Sequence, residues 1–142
     1  MKIRELTIKD YSKIIDLWTV SGLEFKPKGR DSRKSIQGEM KKSSCIYLGA
    51  FEKEELIGTL IVTDDGRKGW LNRLAIHPDY RRKGIAKKLS RAGEKILFKK
   101  GIGIIALLIF DHNEKSQNLA KSLGYEEHRD IVYFTKRINP DI

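Results

Sequence analysis

The stretch "HPDYRRKGIAKKL", residues 77 to 89, sets three consecutive cations, a glycine and a small residue where an apolar, strand-like run gives way to a helical pattern. The first turn of a helix leaves backbone N–H groups without partners, and the aligned peptide dipoles add partial positive charge there. Such a corner holds anions. Gly84 keeps a Cβ out of a ligand's way, Ala86 keeps the first turn small, and Arg81, Arg82 and Lys83 add full charges, so two linked phosphates fit. A merely solvated helix start is the alternative, although cations at that end oppose the dipole and need a reason to be there. The pattern is no Walker loop, because no Lys-Ser/Thr follows the glycine, and "GIGI" at 101 to 104 precedes a strand instead of following one, which excludes a dinucleotide fingerprint.

The elements that must position this corner are read from periodicity. Residues 2 to 8 alternate as a strand, Asp10 caps a helix carrying Ile14, Ile15, Leu17 and Trp18, and Gly22 ends it. The loop 22 to 31 leads to Asp31 or Ser32, either of which caps a second, more polar helix running to about Lys42. "CIYLGAF" and "LIGTLIVT" form a hairpin, and "DDGRKG" turns into "WLNRLAI". Ile85, Leu89, Ala92 and Ile96 then give the inner face of a helix closed by Gly101. "IGIIALLIF" (102 to 110) reads as a strand buried on both faces, 113 to 124 as a helix, and "IVYFTKRI" (131 to 138) as a last strand. Strand, crossover helix and strand between 70 and 110 imply a parallel pair inside a mixed sheet, an α/β or α+β class with helices on both faces.

The 142 residues suit one domain with a core large enough to need no disulfide, and Cys45 has no partner in the chain. No run reaches the roughly 18 apolar residues of a membrane span, and Met1 to Asp10 does not read as a signal peptide, so the expectation is a cytoplasmic protein with no membrane partner. The formal charge is +10, and nine cations against Glu94 alone between residues 81 and 100 supply a net +8 of it. A positive field focused on one helix suits a compact polyanion and argues against nucleic acid, whose non-specific binders spread their cations along the phosphates. No His/Cys/Asp spacing suggests a metal.

Arg81-Arg82-Lys83-Gly84-Ile85-Ala86 resembles the Arg/Gln-x-x-Gly-x-Gly/Ala loop of the GNAT superfamily of N-acetyltransferases. Asn113 with Ser116, and the Leu-Gly-Tyr of 123 to 125, resemble two further signatures of that family, and the likeness extends over about residues 45 to 138. It implies one GNAT domain over 1 to 142, a mixed, mostly antiparallel sheet with a central parallel strand pair, and acetyl-CoA as co-substrate without a metal. Position by position it implies that backbone groups of Leu74, Ala75 and Ile76 line the acetyl and pantetheine arm. The loop Arg81, Arg82, Lys83, Gly84, Ile85 and Ala86 holds the pyrophosphate, and Asn113 with Ser116 borders the pantetheine. Lys87, Lys88 and Arg91 are candidates for the 3′-phosphate.

The acceptor is then an amine of a small molecule or a protein, and the resemblance permits a homodimer. One departure stands out: Ala120 occupies the position where a tyrosine often protonates the departing thiolate. Tyr133 on the expected last strand is the candidate substitute, and Asn72 the candidate for ordering a relay water or the acceptor. Glu24, Asp31 and Glu39 favour a cationic acceptor if they face the cleft. The missing tyrosine also keeps open a second reading, a catalytically weak GNAT-fold module that binds CoA or nucleic acid through its basic helix.

Overall fold

Alternation along the strands and a single stripe on each helix sort the apolar residues onto the two faces of one sheet. The structure, a computed structural model, describes residues 1–142. Its elements are β1 (Lys2–Glu5), α1 (Tyr11–Ser21), α2 (Arg33–Met40), β2 (Cys45–Glu52), β3 (Glu55–Asp64), β4 (Lys68–Ile76), α3 (Ile85–Lys99), β5 (Ile104–Ala106) and α4 (Glu114–Ser122), with 3-10 turns at Ile8–Asp10 and Pro78–Tyr80. The strands lie in the order β1-β2-β3-β4-β5, antiparallel as far as β4 and parallel between β4 and β5. The mixed α/β class and the helices on both faces are as expected.

One face carries Ile14, Leu17 and Trp18 of α1 and Ile36 of α2 against Tyr47, Phe51 and Ile61. The other carries Ile85, Leu89 and Leu97 of α3 against Leu48, Leu60, Val62 and Leu71. Gly93 explains how closely α3 approaches the sheet: a Cβ there would stand 2.9–3.1 Å from methyl groups of Leu71, Leu60 and Val62. Gly22, at φ 81°, ends α1, and the Ser32 hydroxyl accepts the Ser35 N–H to cap α2. Near the N-terminus the Arg4 guanidinium donates to both carboxylate oxygens of Asp10, at 2.9 and 3.0 Å, and Asp10 also accepts the Thr7 N–H at 2.9 Å. That fixes the chain's entry into α1.

Three sequence expectations fail. The first strand stops at Glu5, because Thr7 turns the chain into the 3-10 turn that precedes α1. β5 has three residues instead of the nine of 102 to 110 and is not buried on both faces, with Ile104 60% exposed. Residues 131 to 138 form no strand and lie exposed, so β5 has no neighbour on its outer side and the parallel pair sits at the end of the sheet, not at its centre. The last two share one cause: strand propensity becomes a strand only where a partner edge is within reach.

Two outcomes follow for stability. Gly93→Leu overpacks the α3 interface and should cost about 1–3 kcal/mol in denaturant unfolding. The Arg4 guanidinium holds the Asp10 carboxyl below its ordinary range. A carboxyl depressed in the fold stabilises above its unfolded pKa, about 3.9, and that contribution is lost as pH falls through the lower folded value. Unfolding free energy should therefore fall less steeply below about pH 4 in Asp10→Asn than in the natural chain.

Candidate active site

Helix α3 begins at Gly84, whose φ of 78° lies in the left-handed region, and Arg82 two residues earlier takes φ 64°. From Arg82 to Lys87 no backbone N–H finds an acceptor in the protein; the first bond of the helix runs from the Lys88 N–H to the Gly84 carbonyl. Six consecutive donors are therefore left unpaired at the positive end of a helix. Their charged surroundings are uncompensated: Arg82, Lys83, Lys87, Lys88 and Arg91 have no carboxylate within 4 Å, and Glu94 is engaged by the Tyr125 hydroxyl at 2.8 Å. The Arg81 side chain is spent elsewhere, donating to the Ser21 carbonyl at the end of α1, 3.1 Å away. Lys83 lies over the Tyr80 ring at 5.3 Å.

One turn into α3, Ser90 reaches a cavity of about 660 Å³ between β4 and the segment 107 to 110. The opening has a backbone cause. β4 and β5 pair only from Lys68–Ile104 to Trp70–Ala106. Beyond that, β4 is bulged against β3: Ile61 faces Asn72 and Thr59 faces Ala75, so Arg73 and Leu74 share the place opposite Leu60. A bulge bends its strand, and here the bent stretch runs along the cavity. Arg73 takes φ 50°, a conformation costing a non-glycine residue about 1–3 kcal/mol that its surroundings must offset. Its guanidinium donates to Asp31 at 2.6 Å and lies 5.0 Å from the Trp18 ring centre. Asp31, 3% exposed, also accepts the Lys26 N–H at 2.7 Å, and its carbonyl accepts the Tyr11 hydroxyl at 2.9 Å. The loop between α1 and α2 is thereby tied to the bulge.

Of the residues singled out from the sequence, Asn72, Leu74, Asn113, Ser116 and Ala120 line this cavity. The Asn72 side-chain N–H donates to Thr63 Oγ1 at 3.1 Å, which leaves its carbonyl oxygen free. Asn113 caps α4 by accepting the Ser116 N–H at 3.2 Å. Ala75 and Ile76 pack into the two cores, and Ile85 and Ala86 sit at the start of α3, outside the cavity wall. Tyr133 is 70% exposed and does not line the cavity. Asp31 and Glu39 do line it, whereas Glu24 is exposed elsewhere. Asp64 and Asp65 make the turn with Gly66 as expected, accepting the Gly66, Arg67 and Lys68 N–H groups.

Tyr47 and Cys45 were not read from the sequence as site residues, because inward strand positions look like core. Tyr47 is 1% exposed and donates its hydroxyl to Glu39. Burial pushes the Tyr47 hydroxyl well above its ordinary range, so it stays a proton donor. Burial likewise lifts the Cys45 thiol to about 11, which makes it a neutral wall group and no nucleophile near neutral pH. Among the cavity's carboxylates Asp31 is paired with Arg73 and Asp64 with Lys100; Glu39 has no cation within 4 Å. The whole can take an elongated ligand, its anionic end at α3 and its other end between β4 and 107 to 110.

The sheet thus parts beside a bulged strand, with the start of α3 about one helical turn from the gap. A model described as the acetyltransferase (GNAT) family matches residues 6–125, and the chain belongs to that family. An acetyltransferase of Photorhabdus laumondii, plu1384, is 31% identical over 142 residues, covering 99% of this chain and 98% of that protein. Among solved structures, the aminoglycoside acetyltransferase AAC(6')-Iy, in complex with a CoA-based bisubstrate analogue, superimposes with a TM-score of 0.81 at 19% identity, covering 96% and 97% of the two chains. The PaiA N-acetyltransferase of Thermoplasma acidophilum, in complex with coenzyme A, gives 0.76 at 28% identity over 88% and 89%.

The Asp31–Arg73 pair should behave as a structural tie. Asp31→Ala leaves a mostly buried guanidinium unpaired at a strained position and should cost about 3 kcal/mol in denaturant unfolding. Adding Arg73→Met should recover part of that loss.

Proposed function

We propose that the protein transfers the acetyl group of acetyl-CoA to a primary amine of a small molecule or protein, by direct attack within a ternary complex. The observation that carries this reading is the run of six unpaired N–H groups from Arg82 to Lys87 beside an uncompensated cationic face, one helical turn from the cavity. Those donors bind the pyrophosphate, and Lys87, Lys88 and Arg91 take the 3′-phosphate. Backbone groups of Leu74, Ala75 and Ile76 and the free amide N–H groups of Asn113 hold the arm between them. Family membership and the CoA-bound relatives support acetyl-CoA as the ligand.

Acetyl-CoA supplies an activated thioester. The chain's own task is to present a neutral amine to it and to let the thiol leave. Glu39, the cavity carboxylate without a cation, draws the acceptor's ammonium into place, and the free carbonyl oxygen of Asn72 accepts from that nitrogen or from a water relaying its proton. An amine with an ordinary pKa near 10.4 must lose a proton first, and the carboxylate beside Tyr47 is the group placed to receive it. As the C–N bond forms and the C–S bond breaks, the thiolate takes up one proton. A thiol pKa near 8.5 already makes it a tolerable leaving group. An acid role for Tyr133 requires segment 131 to 138 to leave its exposed position.

Ala120 in the cavity wall, where a proton-donating tyrosine is absent, favours one other reading, a module that binds CoA without turning it over. Calorimetric titration of ligand-free protein with acetyl-CoA and dephospho-CoA at near-physiological salt, followed by turnover on a panel of amines, decides between them. Micromolar binding weakened for the dephospho form, with turnover that falls at least tenfold in Glu39→Gln, is expected. Binding with no turnover on any amine would leave the binding module, and no binding of either nucleotide would sink both.

A further inference from the structure

The charged side chains that line the cavity are Arg30, Asp31, Glu39, Lys42, Asp64 and Arg73. Asp64 is neutralised by Lys100, which also donates to the Ser43 carbonyl at 3.0 Å. Asp31 is neutralised twice. Arg73 stands 2.6 Å from its Oδ1, and Arg30 Nε lies 3.7 Å from its Oδ2, an oxygen that already accepts the Lys26 N–H. One carboxylate between two guanidiniums leaves one positive charge over. Lys42, exposed just after α2, has no carboxylate within 4 Å, and Glu39 has no cation within that distance. Both bear on one wall group: after burial, the fields acting on the Cys45 thiol are those of Glu39, which raises its pKa, and Lys42, which lowers it. The charges left unmatched are thus one carboxylate, Glu39, and two cations, Arg30 and Lys42. All three belong to a stretch of chain whose Phe25, Ile36 and Met40 pack on the α1 face of the sheet, whereas the cations of α3 start from the other face.

We propose that the acceptor is a small zwitterionic amine, an amino acid, whose ammonium is held by Glu39 and whose carboxylate is held by Lys42 and Arg30. The inference rests on the acetyl transfer proposed above and narrows its acceptor. An acceptor that is only cationic would satisfy Glu39 but bring like charge against Arg30 and Lys42, a juxtaposition that selects against it. A simple monoamine would leave both cations bare. The cavity, about 660 Å³, must also take the acetyl-bearing arm of the cofactor, so the room that remains suits a small molecule. The carboxylates read from the sequence as favouring a cationic acceptor do not add up to one: Glu24 lies elsewhere, and Asp31 already carries more positive charge than it can neutralise. In the reaction the amino nitrogen forms the C–N bond as the C–S bond breaks. Of the two protons the ammonium gives up, one passes through Glu39 to solvent and one ends on the CoA thiol, and the product is an N-acetylamino acid.

Pairs of acceptors that differ only in the carboxylate test this: leucine and isoamylamine, phenylalanine and phenethylamine, lysine and cadaverine. With acetyl-CoA, kcat/KM of the natural chain should favour the amino acid of at least one pair by about tenfold, and the polyamine spermidine should be poorer still. Lys42→Met and Arg30→Met, both at exposed positions, should each shrink that ratio through a higher KM for the amino acid, and Lys42→Glu should turn it in favour of cadaverine over lysine. Calorimetric titration of the same acceptors into CoA-saturated protein reads the preference without turnover. Equal or better use of the decarboxylated amines in every pair, or a ratio that survives all the substitutions, overturns the proposal and leaves acetyl transfer standing. Binding of amino acids over amines with no turnover of either would keep the zwitterion site and remove the transfer. Neither binding nor turnover of any acceptor would overturn both.

Discussion

The site depends on one irregularity in the hydrogen-bonding of β4. Were β4 to run straight alongside β5, their ladder would continue past Trp70–Ala106 and close the sheet over the space that is now a cavity. Placing Arg73 and Leu74 together opposite Leu60 bends β4 at that point, and the strain of a left-handed arginine is offset by an ion pair to Asp31 and the face of Trp18. The same pair ties down the loop leading to α2, which brings Glu39 to the cavity. A backbone defect, its restraint and the Glu39 side of the cavity are therefore one mechanical unit.

The start of α3 rests on a different constraint, the geometry of a helix's first turn. Gly84 sets the left-handed turn, and α3 packs tightly on the sheet through Gly93, so the unpaired donors of Arg82 to Lys87 are fixed relative to β4. Fixed donors bind an anion without first paying to be ordered. The excess charge of the helix adds a field that falls off within about 8–10 Å at physiological salt, so it acts on a ligand already near the corner.

The two halves differ in how much the residue types alone disclosed. The sharp turn into α3 was legible because a glycine and a small residue at a strand-to-helix junction have few other uses. The helical stripes and the hairpins were legible for the same local reason. The role of Arg81 was not: that side chain caps α1, a contact made across sixty positions of the chain, which no local pattern encodes. Tyr47 and Cys45 looked like core because they are core on one side and cavity wall on the other.

What the sequence determined by itself was the order of the elements from β1 to α4 and the sharp, cation-rich start of α3, since each depends on neighbours a few residues apart. The tertiary structure decided which carboxylate stands unpaired in the cavity, where β4 departs from its ladder, and whether 102 to 110 and 131 to 138 become strands. Those outcomes depend on which backbone edges and charges meet in space. A run of β-branched residues states a preference, and only a partner edge turns it into a strand.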